Sequence, residues 1–330
     1  MALPFTNPNG KFWHLLHRPI MALAPMDDVT DAAFRRIIAK CGKPDIMFTE
    51  FVSADGLCSK GKDRLMGKLI YDECERPIVV QLFGKNPENF FKSGQLAHEL
   101  GFDGIDINMG CPDKNICRSG AGAALINAPE TAKEIIEMAR DGSGLPISVK
   151  TRIGYDKITV EDWIGHLLEA KPVAITVHLR TKKDMSKVPA RWSHIAQAIK
   201  MTRGTGTLLL GNGDIPNIEK ANEMVHATGV DGIMLGRAIF GNPWLFNANA
   251  SRFSGDLGEK LKIMIEHAQL YEMIFSNKKN FRNIKKHFKA YLAGLPNAKG
   301  LREKIADINC ADQLKNELEE FLSANQFFIV

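Results

Sequence analysis

The sequence predicts an eight-stranded parallel (β/α)8 barrel, a TIM barrel, followed by a small C-terminal all-helical domain. Three observations predict it: eight short β-rich runs recur, their starts lie 25 to 42 residues apart, and helical patterns separate them. This spacing is about one strand–helix unit, and the runs are largely apolar, as parallel strands covered on both faces should be. The predicted strands are residues 20–26, 45–51, 77–83, 104–110, 146–152, 174–180, 207–213 and 232–238.

A doubly wound parallel sheet is the alternative architecture. Such a sheet more often carries a glycine-rich fingerprint after its first strand, whereas the first run here ends at Ala24-Pro25-Met26. The barrel is therefore favoured. Between the strands, residues 130–140 and 218–227 show helical periodicity. Residues 86–87, 127–129 and 214–216 combine a capping side chain with a nearby proline, which predicts helix starts.

Beyond Trp244 the β-rich runs stop, and residues 261–275, 280–292 and 312–324 are predicted helices. We therefore expect a barrel domain over residues 1–244 and a helical domain over residues 245–330. In the second of these helices the spacing places one apolar face beside one basic stripe. The face contains Phe281, Ile284, Phe288 and Tyr291, and the stripe contains Lys278, Arg282, Lys285, Lys286 and Lys289.

Charge is concentrated in this helical region. Nine Lys or Arg residues and one acid, Glu303, lie between Lys278 and Lys304, while the rest of the chain has slightly more acids than bases. Such a basic module predicts an anionic polymer as partner, and a solvated helix face is an equally good alternative.

The other bulk properties are those of an ordinary globular protein. The chain is 45% hydrophobic, and its apolar runs are shorter than a membrane span. The six cysteines are scattered without metal-ligand spacing, which predicts reduced thiols and no metal site. Residues 1–19 lack the pattern of a secretory signal. We therefore expect a cytoplasmic protein.

Unusual side chains follow nearly every predicted strand. In a barrel, catalytic residues lie at the carboxyl ends of the strands, so their convergence on one rim predicts an active site there. These residues are Pro25, Met26, Gln81, Asn108, Cys111, Lys150, Arg152, His178, Arg180, Asn212, Asp214 and Arg237.

The last two strand ends predict a phosphate site. Gly211, Gly213 and Gly236 permit close approach of backbone N–H groups, and Arg237 adds a bidentate cation; tight turns are the alternative role of these glycines. Together with Lys150, this corner suits flavin mononucleotide (FMN).

In that arrangement Lys150 stabilises the anionic reduced ring, and Gln81 hydrogen-bonds its pyrimidine edge. Lys150 could instead be a Schiff-base lysine, but that alternative leaves Cys111 unexplained.

Cys111 has a pKa suited to donating a proton. An ordinary thiol, with a pKa of about 8.5, is mostly protonated at neutral pH. Reduction of a conjugated C=C bond needs a proton on the carbon next to the one that receives hydride. The alternative is a small buried residue at a strand end. His178 either contacts the flavin or its phosphate, or is a polar rim residue. Asp106 and Asp214 are interpreted as facing turns and backbone N–H groups.

With these residues assembled, the chain resembles the tRNA-dihydrouridine synthases, particularly the bacterial type with a C-terminal helical domain. The similarity runs over nearly the whole chain, and the NxGCP segment combined with NGD and GRxxxGxPW is specific to that family. The matching stretches are LAPMDDVTDAAFR, TEFVSADGL, VVQLFG, GIDINMGCPDKNICRSGAGAAL, VKTRIGYD, VHLRT, LLGNGDI, DGIMLGRAIFGNPWLF and, more faintly, IKKHFKAYLAGLPNAKGLR.

The resemblance implies an FMN enzyme that reduces the 5,6 double bond of particular uridines in tRNA, with NADPH as electron donor. Cys111 would protonate C5 of the uracil while flavin delivers hydride to C6. Asn108 and Arg152 would hold the flipped-out uridine, and the basic helical domain would bind tRNA. The residues that would bind FMN are Ala24, Pro25, Met26, Gln81, Lys150, Asn212, Gly213, Asp214, Gly236 and Arg237.

The chain departs from the family pattern next to His178. Leu179 stands where the family usually has glycine, and the loop of residues 182–190 lacks the usual glycines. Two other functions are possible: a flavin barrel acting on a free pyrimidine or other small molecule, and a non-enzymatic tRNA-binding protein. The basic region argues against the first, and intact Cys111, Lys150 and Arg237 argue against the second. We expect tRNA as partner, no membrane association and a monomer.

Overall fold

The computed structural model describes residues 12–249, 256–276, 278–295 and 299–324. Contacts group these residues into two compact units. The first comprises residues 12–27 and Pro44–Gly236, and the second comprises Asp28–Lys43 and the described residues from Arg237 onward. The boundary between the units at Arg237 therefore differs from the sequence-based boundary at residue 244.

The first unit contains a parallel sheet whose strand order runs around a barrel. The order is β1-β9-β8-β7-β6-β5-β4-β2, with β3 also paired to β4, and a parallel bridge between Ala22 and Ile46 links the two ends. Because β2 lies within the predicted second strand, residues 45–51, and β3 directly follows that range and pairs with the same neighbour β4, the eight-stranded barrel is confirmed. The strands are β1 Ile20–Leu23, β2 Met47–Phe48, β3 Val52–Ser53, β4 Ile78–Phe83, β5 Gly104–Met109, β6 Ile147–Arg152, β7 Ala174–His178, β8 Leu208–Asn212 and β9 Gly232–Leu235.

Helices alternate with these strands, as the sequence predicts. In chain order the α-helices of the first unit are α1 Phe12–Leu15, α3 Ala54–Leu57, α4 Lys62–Leu65, α5 Pro87–Glu99, α6 Lys114–Arg118, α7 Pro129–Ser143, α8 Val160–Glu169, α9 Ile195–Thr202 and α10 Ile218–Thr228. Its 3-10 helices are Met66–Leu69, Glu73–Glu75, Gly122–Asn127 and Trp192–His194.

Two of the three predicted helix starts are confirmed, since α5 begins at Pro87 and α7 begins at Pro129. Asn86 caps α5, its side chain accepting the N–H of Glu88, and Pro87 is the first helical residue. The predicted start at residues 214–216 was wrong, because Asn217 caps α10 through the N–H of Lys220. Asp214 instead has a left-handed backbone, with φ 54°, and its carboxylate bonds elsewhere.

The barrel interior changes from apolar to polar along the strands. Phe12 and Trp13 of α1 belong to the same buried apolar cluster as Ile20, Val79 and Leu208, which lie at or next to the amino ends of their strands. Closer to the carboxyl ends, register pairs polar residues side by side on neighbouring strands. Since parallel register partners face the same side of a sheet, these polar layers converge inside the barrel. They are Gln81 with Asp106 and Ser148, Asn108 with Lys150, and Arg152 with His178 and Asn212.

The second unit is helical. Aromatic and histidine side chains pack together within it: the ring of Phe34 stacks on the ring of His267, with 5.1 Å between the ring centroids. Of the predicted apolar face, Ile284, Phe288 and Tyr291 are buried and Phe281 is half-buried. The α-helices are α2 Ala32–Gly42, α11 Leu257–Phe275, α12 Lys285–Tyr291, α13 Lys299–Asp307 and α14 Ala311–Ala324, with 3-10 helices at Arg237–Ile239 and Phe281–Ile284.

Two differences from the sequence prediction concern these helices. The predicted helix over residues 280–292 divides into a 3-10 turn and α12, and α13 was missed. Helix α13 follows residues 296–298, which lie outside the described residues. Among the residues the structure describes, none of the helices has both the length and the apolar character needed to cross a membrane.

Candidate active site

Cys111 lies on a turn that is held from both sides at the carboxyl end of β5. The Asn108 side-chain oxygen accepts the backbone N–H groups of Gly110 at 3.1 Å and Cys111 at 2.9 Å. Arg152 donates its Nε to the Gly110 carbonyl at 2.6 Å, and the Cys111 carbonyl accepts the N–H of Ala123 at 3.0 Å. The turn therefore fixes the direction in which the thiol leaves the backbone.

The Cys111 thiol is half-buried and protonated at neutral pH. Burial raises its pKa, and the negative charge of Asp113 adds to the rise, while a hydrogen bond with the Asp113 backbone opposes it. A thiol held in its neutral form can donate a proton but is a poor nucleophile. Cys117 lies nearby, with its Sγ 3.5 Å from the Cys111 carbonyl oxygen, and burial raises its pKa as well.

Asn108 and Arg152, the predicted substrate ligands, both hold the Cys111 turn. Besides Gly110, the guanidinium of Arg152 donates to the carbonyls of Thr181 at 3.1 Å and Met185 at 2.8 Å. Burial lowers the pKa of Arg152 to about 10, so it stays charged at neutral pH. Arg152 thus joins the Cys111 turn to the loop that follows β7, and its contact with substrate stays a prediction.

Lys150 is a half-buried cation beside the amide of Asn212. Its Nζ lies 3.3 Å from Asn212 Oδ1, and Asn212 Nδ2 donates to the Met234 carbonyl at 2.7 Å. Burial lowers the pKa of Lys150 to about 8, the charge of Arg152 adds to the lowering, and the carboxylate of Asp106 opposes it. The ammonium group of Lys150 is therefore a positive charge that its neighbours in the protein only partly neutralise. Such a charge suits an electron-rich ligand.

Gln81 is fully buried, and both ends of its amide are engaged. Its Nε2 donates to Asp106 Oδ2 at 2.7 Å, and its Oε1 accepts from Asn108 Nδ2 at 3.0 Å. Asp106 also accepts from the Ser148 hydroxyl at 2.6 Å. The interpretation of Asp106 as facing a turn was therefore wrong, because the side chains of Gln81 and Ser148 bond it. Burial raises the pKa of Asp106 to about 6, and these two hydrogen bonds oppose the rise.

Arg180 and Asp214 connect the loop after β7 to the end of β8. Arg180 donates to Asp214 at 2.5 Å and to the Val188 carbonyl at 2.6 Å, and its Nη1 lies 3.0 Å from His178 Nε2. Asp214 also accepts the N–H of Ala190 at 2.8 Å, so it does face a backbone N–H group. A direct contact of His178 or Asp214 with flavin stays a prediction.

Two of the three glycines at these strand ends, Gly211 and Gly213, leave room for a neighbouring side chain, and Gly236 does not. A Cβ on Gly211 would lie 2.6 Å from the ring of Trp192, so this glycine accommodates the indole. A Cβ on Gly213, which has φ +132°, would lie 2.8 Å from Ala190 Cβ. At Gly236 a Cβ would lie at ordinary contact distance from Ala24 and Met26, 3.5 and 3.7 Å.

These residues fit a flavin. Lys150 supplies a half-buried positive charge beside the neutral amides of Asn108 and Asn212. Ala24, Met26 and Gly236 form a small apolar patch at two neighbouring strand ends, as ligand pockets usually require. Pro25 lies between Ala24 and Met26 in the sequence. Arg237, which follows Gly236, is exposed and begins a 3-10 helix of the second unit.

Four residues of this region carry interactions that the sequence reasoning missed. They are Ser148, Arg180 in its pairing with Asp214, Trp192 and Ala123. Ser148 was recoverable, because Ser148, Lys150 and Arg152 stand at every second position of one strand and therefore face the same side of the sheet. Trp192 and Ala123 act through contacts between segments distant in sequence, which one sequence does not reveal.

Sequence comparison agrees with this geometry. The family model described as Dihydrouridine synthase (Dus) matches residues 22–326. The chain is 39% identical over 315 residues to the probable tRNA-dihydrouridine synthase 2 of Bacillus subtilis (strain 168), with 94% of this chain and 96% of that protein covered. It is 38% identical over 316 residues to the probable tRNA-dihydrouridine synthase of Staphylococcus aureus (strain COL), with 94% and 95% covered.

Solved structures support the fold alone. A histamine dehydrogenase from Rhizobium sp. 4-9 superposes with a TM-score of 0.54 at 13% identity, covering 76% of this chain and 48% of that one. A 6-hydroxypseudooxynicotine amine oxidase from Pseudomonas geniculata N1 superposes with a TM-score of 0.56 at 12% identity, covering 76% and 50%. With the family match over most of its length, the chain belongs to the dihydrouridine synthase family of enzymes, as the resemblance predicts.

Proposed function

We propose that this protein reduces the C5=C6 bond of specific uridines in tRNA to give 5,6-dihydrouridine. One observation carries the proposal: a protonated, half-buried thiol, Cys111, is fixed at the same end of the barrel as the half-buried cation Lys150. A neutral acid and a cation on neighbouring strands suit a reduction that adds hydride and a proton to adjacent carbons. The names of the curated relatives, probable tRNA-dihydrouridine synthases, supply the substrate class.

FMN is the proposed cofactor. When bound, it would supply hydride to C6 of the uracil, and NADPH would reduce it again. The ammonium of Lys150 would complement the electron-rich edge of the ring, and Ala24, Met26 and Gly236 would line the adjacent patch. The full set of proposed FMN-binding residues is Ala24, Pro25, Met26, Gln81, Lys150, His178, Asn212, Gly213, Asp214, Gly236 and Arg237.

Cys111 is the proposed catalytic residue, the donor of the proton to C5. The raised pKa keeps the thiol protonated until the carbon needs the proton. Asn108 and Arg152 hold the turn that carries Cys111. If they also contact the uridine, as proposed, they would fix the position of the substrate relative to the thiol.

RNA binding is proposed for the helical region of residues 245–330, and catalysis for residues 1–244. Lys278, Arg282 and Lys289 are exposed there, and Lys286 is half-buried. Lys285 donates to the Ala306 carbonyl at 2.6 Å, so it is partly used in joining α12 to α13. Exposed cations bind an RNA backbone through its phosphates and shape.

The target base would have to leave its stack to reach the barrel, which favours unpaired or loosely paired uridines. A tRNA substrate also implies a cytoplasmic enzyme, and we propose that it acts as a monomer.

A substrate comparison tests the proposal. The purified protein is supplied with NADPH and either unmodified tRNA, free uridine or free uracil, and dihydro products are measured by mass spectrometry. We expect dihydrouridine in tRNA and negligible reduction of the free compounds. Reduction of uracil or uridine with unmodified tRNA left unchanged would contradict the proposal and support a flavin enzyme for small pyrimidines.

A further inference from the structure

A continuous chain of buried hydrogen bonds runs beneath the Cys111 turn. It begins at the Ser148 hydroxyl and passes through the Asp106 carboxylate and the amides of Gln81 and Asn108 to the N–H groups of Gly110 and Cys111. Asp106 is 1% exposed and Asn108 is 7% exposed. Each side chain in the chain touches the next at hydrogen-bond distance, between 2.6 and 3.1 Å.

The groups at the two ends of this chain of hydrogen bonds determine which atom donates and which accepts in each bond between them. Backbone N–H groups can only donate, so Asn108 must turn its oxygen toward the Cys111 turn. Its NH2 group then needs an acceptor, which is the Gln81 oxygen, and the Gln81 NH2 group needs one in turn. Asp106 Oδ2 supplies that acceptor. Without it, Gln81 could rotate by half a turn and present its NH2 group to the NH2 group of Asn108, so Asn108 would lose its acceptor and its hold on the turn would weaken.

We propose that Asp106 is a positioning residue for the reaction: by accepting from Gln81 it orients the two buried amides and so holds the turn that carries the Cys111 thiol. This inference rests on the proposed function, in which that thiol donates a proton. It deepens that function by adding a residue that touches neither substrate nor flavin.

The position of Asp106 supports a functional role over a purely structural one. On β4, Val79 lies two residues before Gln81, in register with Gly104, and belongs to the buried apolar cluster. A buried carboxylate costs desolvation energy that an apolar residue of similar size avoids. The polar layer begins at Asp106 and continues through Asn108 and Lys150 to the strand ends, so it lies where it can affect the site.

Two substitutions separate hydrogen-bond direction from packing. Asp106→Asn keeps an acceptor oxygen for Gln81 and can donate its NH2 group to the Ser148 hydroxyl, so it preserves the chain of bonds without the charge. Asp106→Leu is similar in size and removes the acceptor. Asp103→Leu is the matched control, because Asp103 is an aspartate with a 6% exposed side chain at the other end of the same strand, bonded to Arg76.

Three quantities are measured on each purified protein: the rate of dihydrouridine formation in tRNA, the rate of flavin reduction by NADPH without tRNA, and the rate of Cys111 alkylation by iodoacetamide against pH. Peptide mass spectrometry resolves Cys111 from the other thiols. For Asp106→Leu we expect uridine reduction to fall about 10- to 100-fold, as misplacement of a catalytic group does. The alkylation profile of Cys111 should shift, and flavin reduction by NADPH should fall less than uridine reduction does.

Asp106→Asn should restore uridine reduction at least about tenfold relative to Asp106→Leu, with an alkylation profile close to that of the unsubstituted protein. Asp103→Leu should leave that profile unchanged. The proposal is overturned if Asp106→Leu leaves both the alkylation of Cys111 and uridine reduction unaltered, or if Asp106→Asn is no better than Asp106→Leu. Should the leucine variant fail to accumulate, Gln81→Leu interrupts the same chain, and an unshifted Cys111 profile there overturns the proposal equally.

Failure of the proposed function would look different. If the unsubstituted protein makes no dihydrouridine, the function is wrong, while the Cys111 alkylation profiles still decide whether Asp106 holds the thiol.

Discussion

The guanidinium of Arg180 donates to the carboxylate of Asp214 at 2.5 Å, joining the end of β7 to the turn after β8. Arg180 is 3% exposed and Asp214 is 34% exposed at their side chains. The same carboxylate accepts the N–H of Ala190, and Arg180 donates to the Val188 carbonyl, so the two members of the ion pair together anchor residues 182–190 at two points. This loop contains no glycine, and the ion pair helps to hold it in place.

Asp214→Ala is expected to loosen that loop. The substitution leaves the buried Arg180 guanidinium without its carboxylate, and because Asp214 is one-third exposed, water will replace part of the interaction. We expect a loss of about 1–3 kcal/mol in the free energy of unfolding, measured by urea titration. Limited trypsin digestion should cut faster after Lys183 and Lys187. Glu223→Ala, which removes the exposed partner of Lys220, is the control and should change stability by less than about 1 kcal/mol.

Acid is expected to destabilise the second unit through two buried histidines. His267 and His287 lie 4.9 Å apart between ring centroids, and both side chains are fully buried. Burial lowers the pKa of His267 well below its ordinary value and that of His287 to about 3. Below about pH 6.5, the ordinary histidine pKa, the two histidines therefore bind protons in the unfolded chain, whereas in the folded unit they stay neutral.

Stability is accordingly complete above about pH 6.5 and falls as the pH is lowered toward 3. Each histidine contributes a loss of about 2 kcal/mol between pH 7.5 and 5, measured by urea unfolding at each pH. His287→Phe keeps a ring against Phe34 and should remove its share of the pH dependence. His226→Phe, at an exposed position, should leave that dependence as it was. A pH-independent stability in the unsubstituted protein would show that these histidines do not titrate on unfolding.

The exposed part of the basic stripe should govern tRNA affinity. Replacing Arg282, Lys286 and Lys289 by alanine is expected to weaken binding and to lower the salt dependence of log Kd by about 1 for each phosphate that these cations neutralise. Filter binding at several salt concentrations measures both. Replacement of Lys220, Lys262 and Lys315, which lie beside Glu223, Glu259 and Glu319, removes the same number of cations and is the control for net charge. Equal effects of the two sets would mean that charge alone, without a binding surface, attracts RNA.

Trp192 and Gly211 should show strong coupling. Gly211→Ala places a methyl group against the indole, and overpacking of this kind costs about 1–3 kcal/mol. Combining it with Trp192→Leu should recover part of that loss, and a double-mutant cycle measures the coupling. Gly67→Ala, where a Cβ meets nothing within 4 Å, serves as control. Additive effects of Gly211→Ala and Trp192→Leu would argue against the close approach of the indole to this glycine.

The barrel was predictable because its signals are local. Each strand is a short apolar run, the spacing repeats, and Pro87 with Asn86 marks a helix start by its own chemistry. Strand two was the exception, because the pairing of its pieces with β4 breaks after Phe48 and resumes at Val52. Neither the grouping of α2 with the C-terminal helices nor helix α13 carries such a local signal, since both depend on packing between distant segments.

The site was predictable as a set of residues but not as a set of bonds. The polar residues at the strand ends mark the rim, and Cys111 on its turn was placed correctly at the end of β5. Sequence reasoning assigned Asn108 and Arg152 to the substrate and Gln81 to the flavin, whereas the structure shows all three bonded within the protein. Hydrogen-bond partners depend on side-chain direction and on neighbouring strands, which residue types alone leave open.

The most direct test of the central claim is dihydrouridine formation in tRNA by Cys111→Ala beside the unsubstituted protein, with Cys117→Ala as the matched thiol control. Mass spectrometry of the tRNA measures product, and the visible spectrum measures bound flavin. The account predicts a loss of about 10²–10⁴-fold in uridine reduction for Cys111→Ala, with flavin retained and Cys117→Ala close to the unsubstituted rate. Undiminished dihydrouridine formation by Cys111→Ala would contradict it.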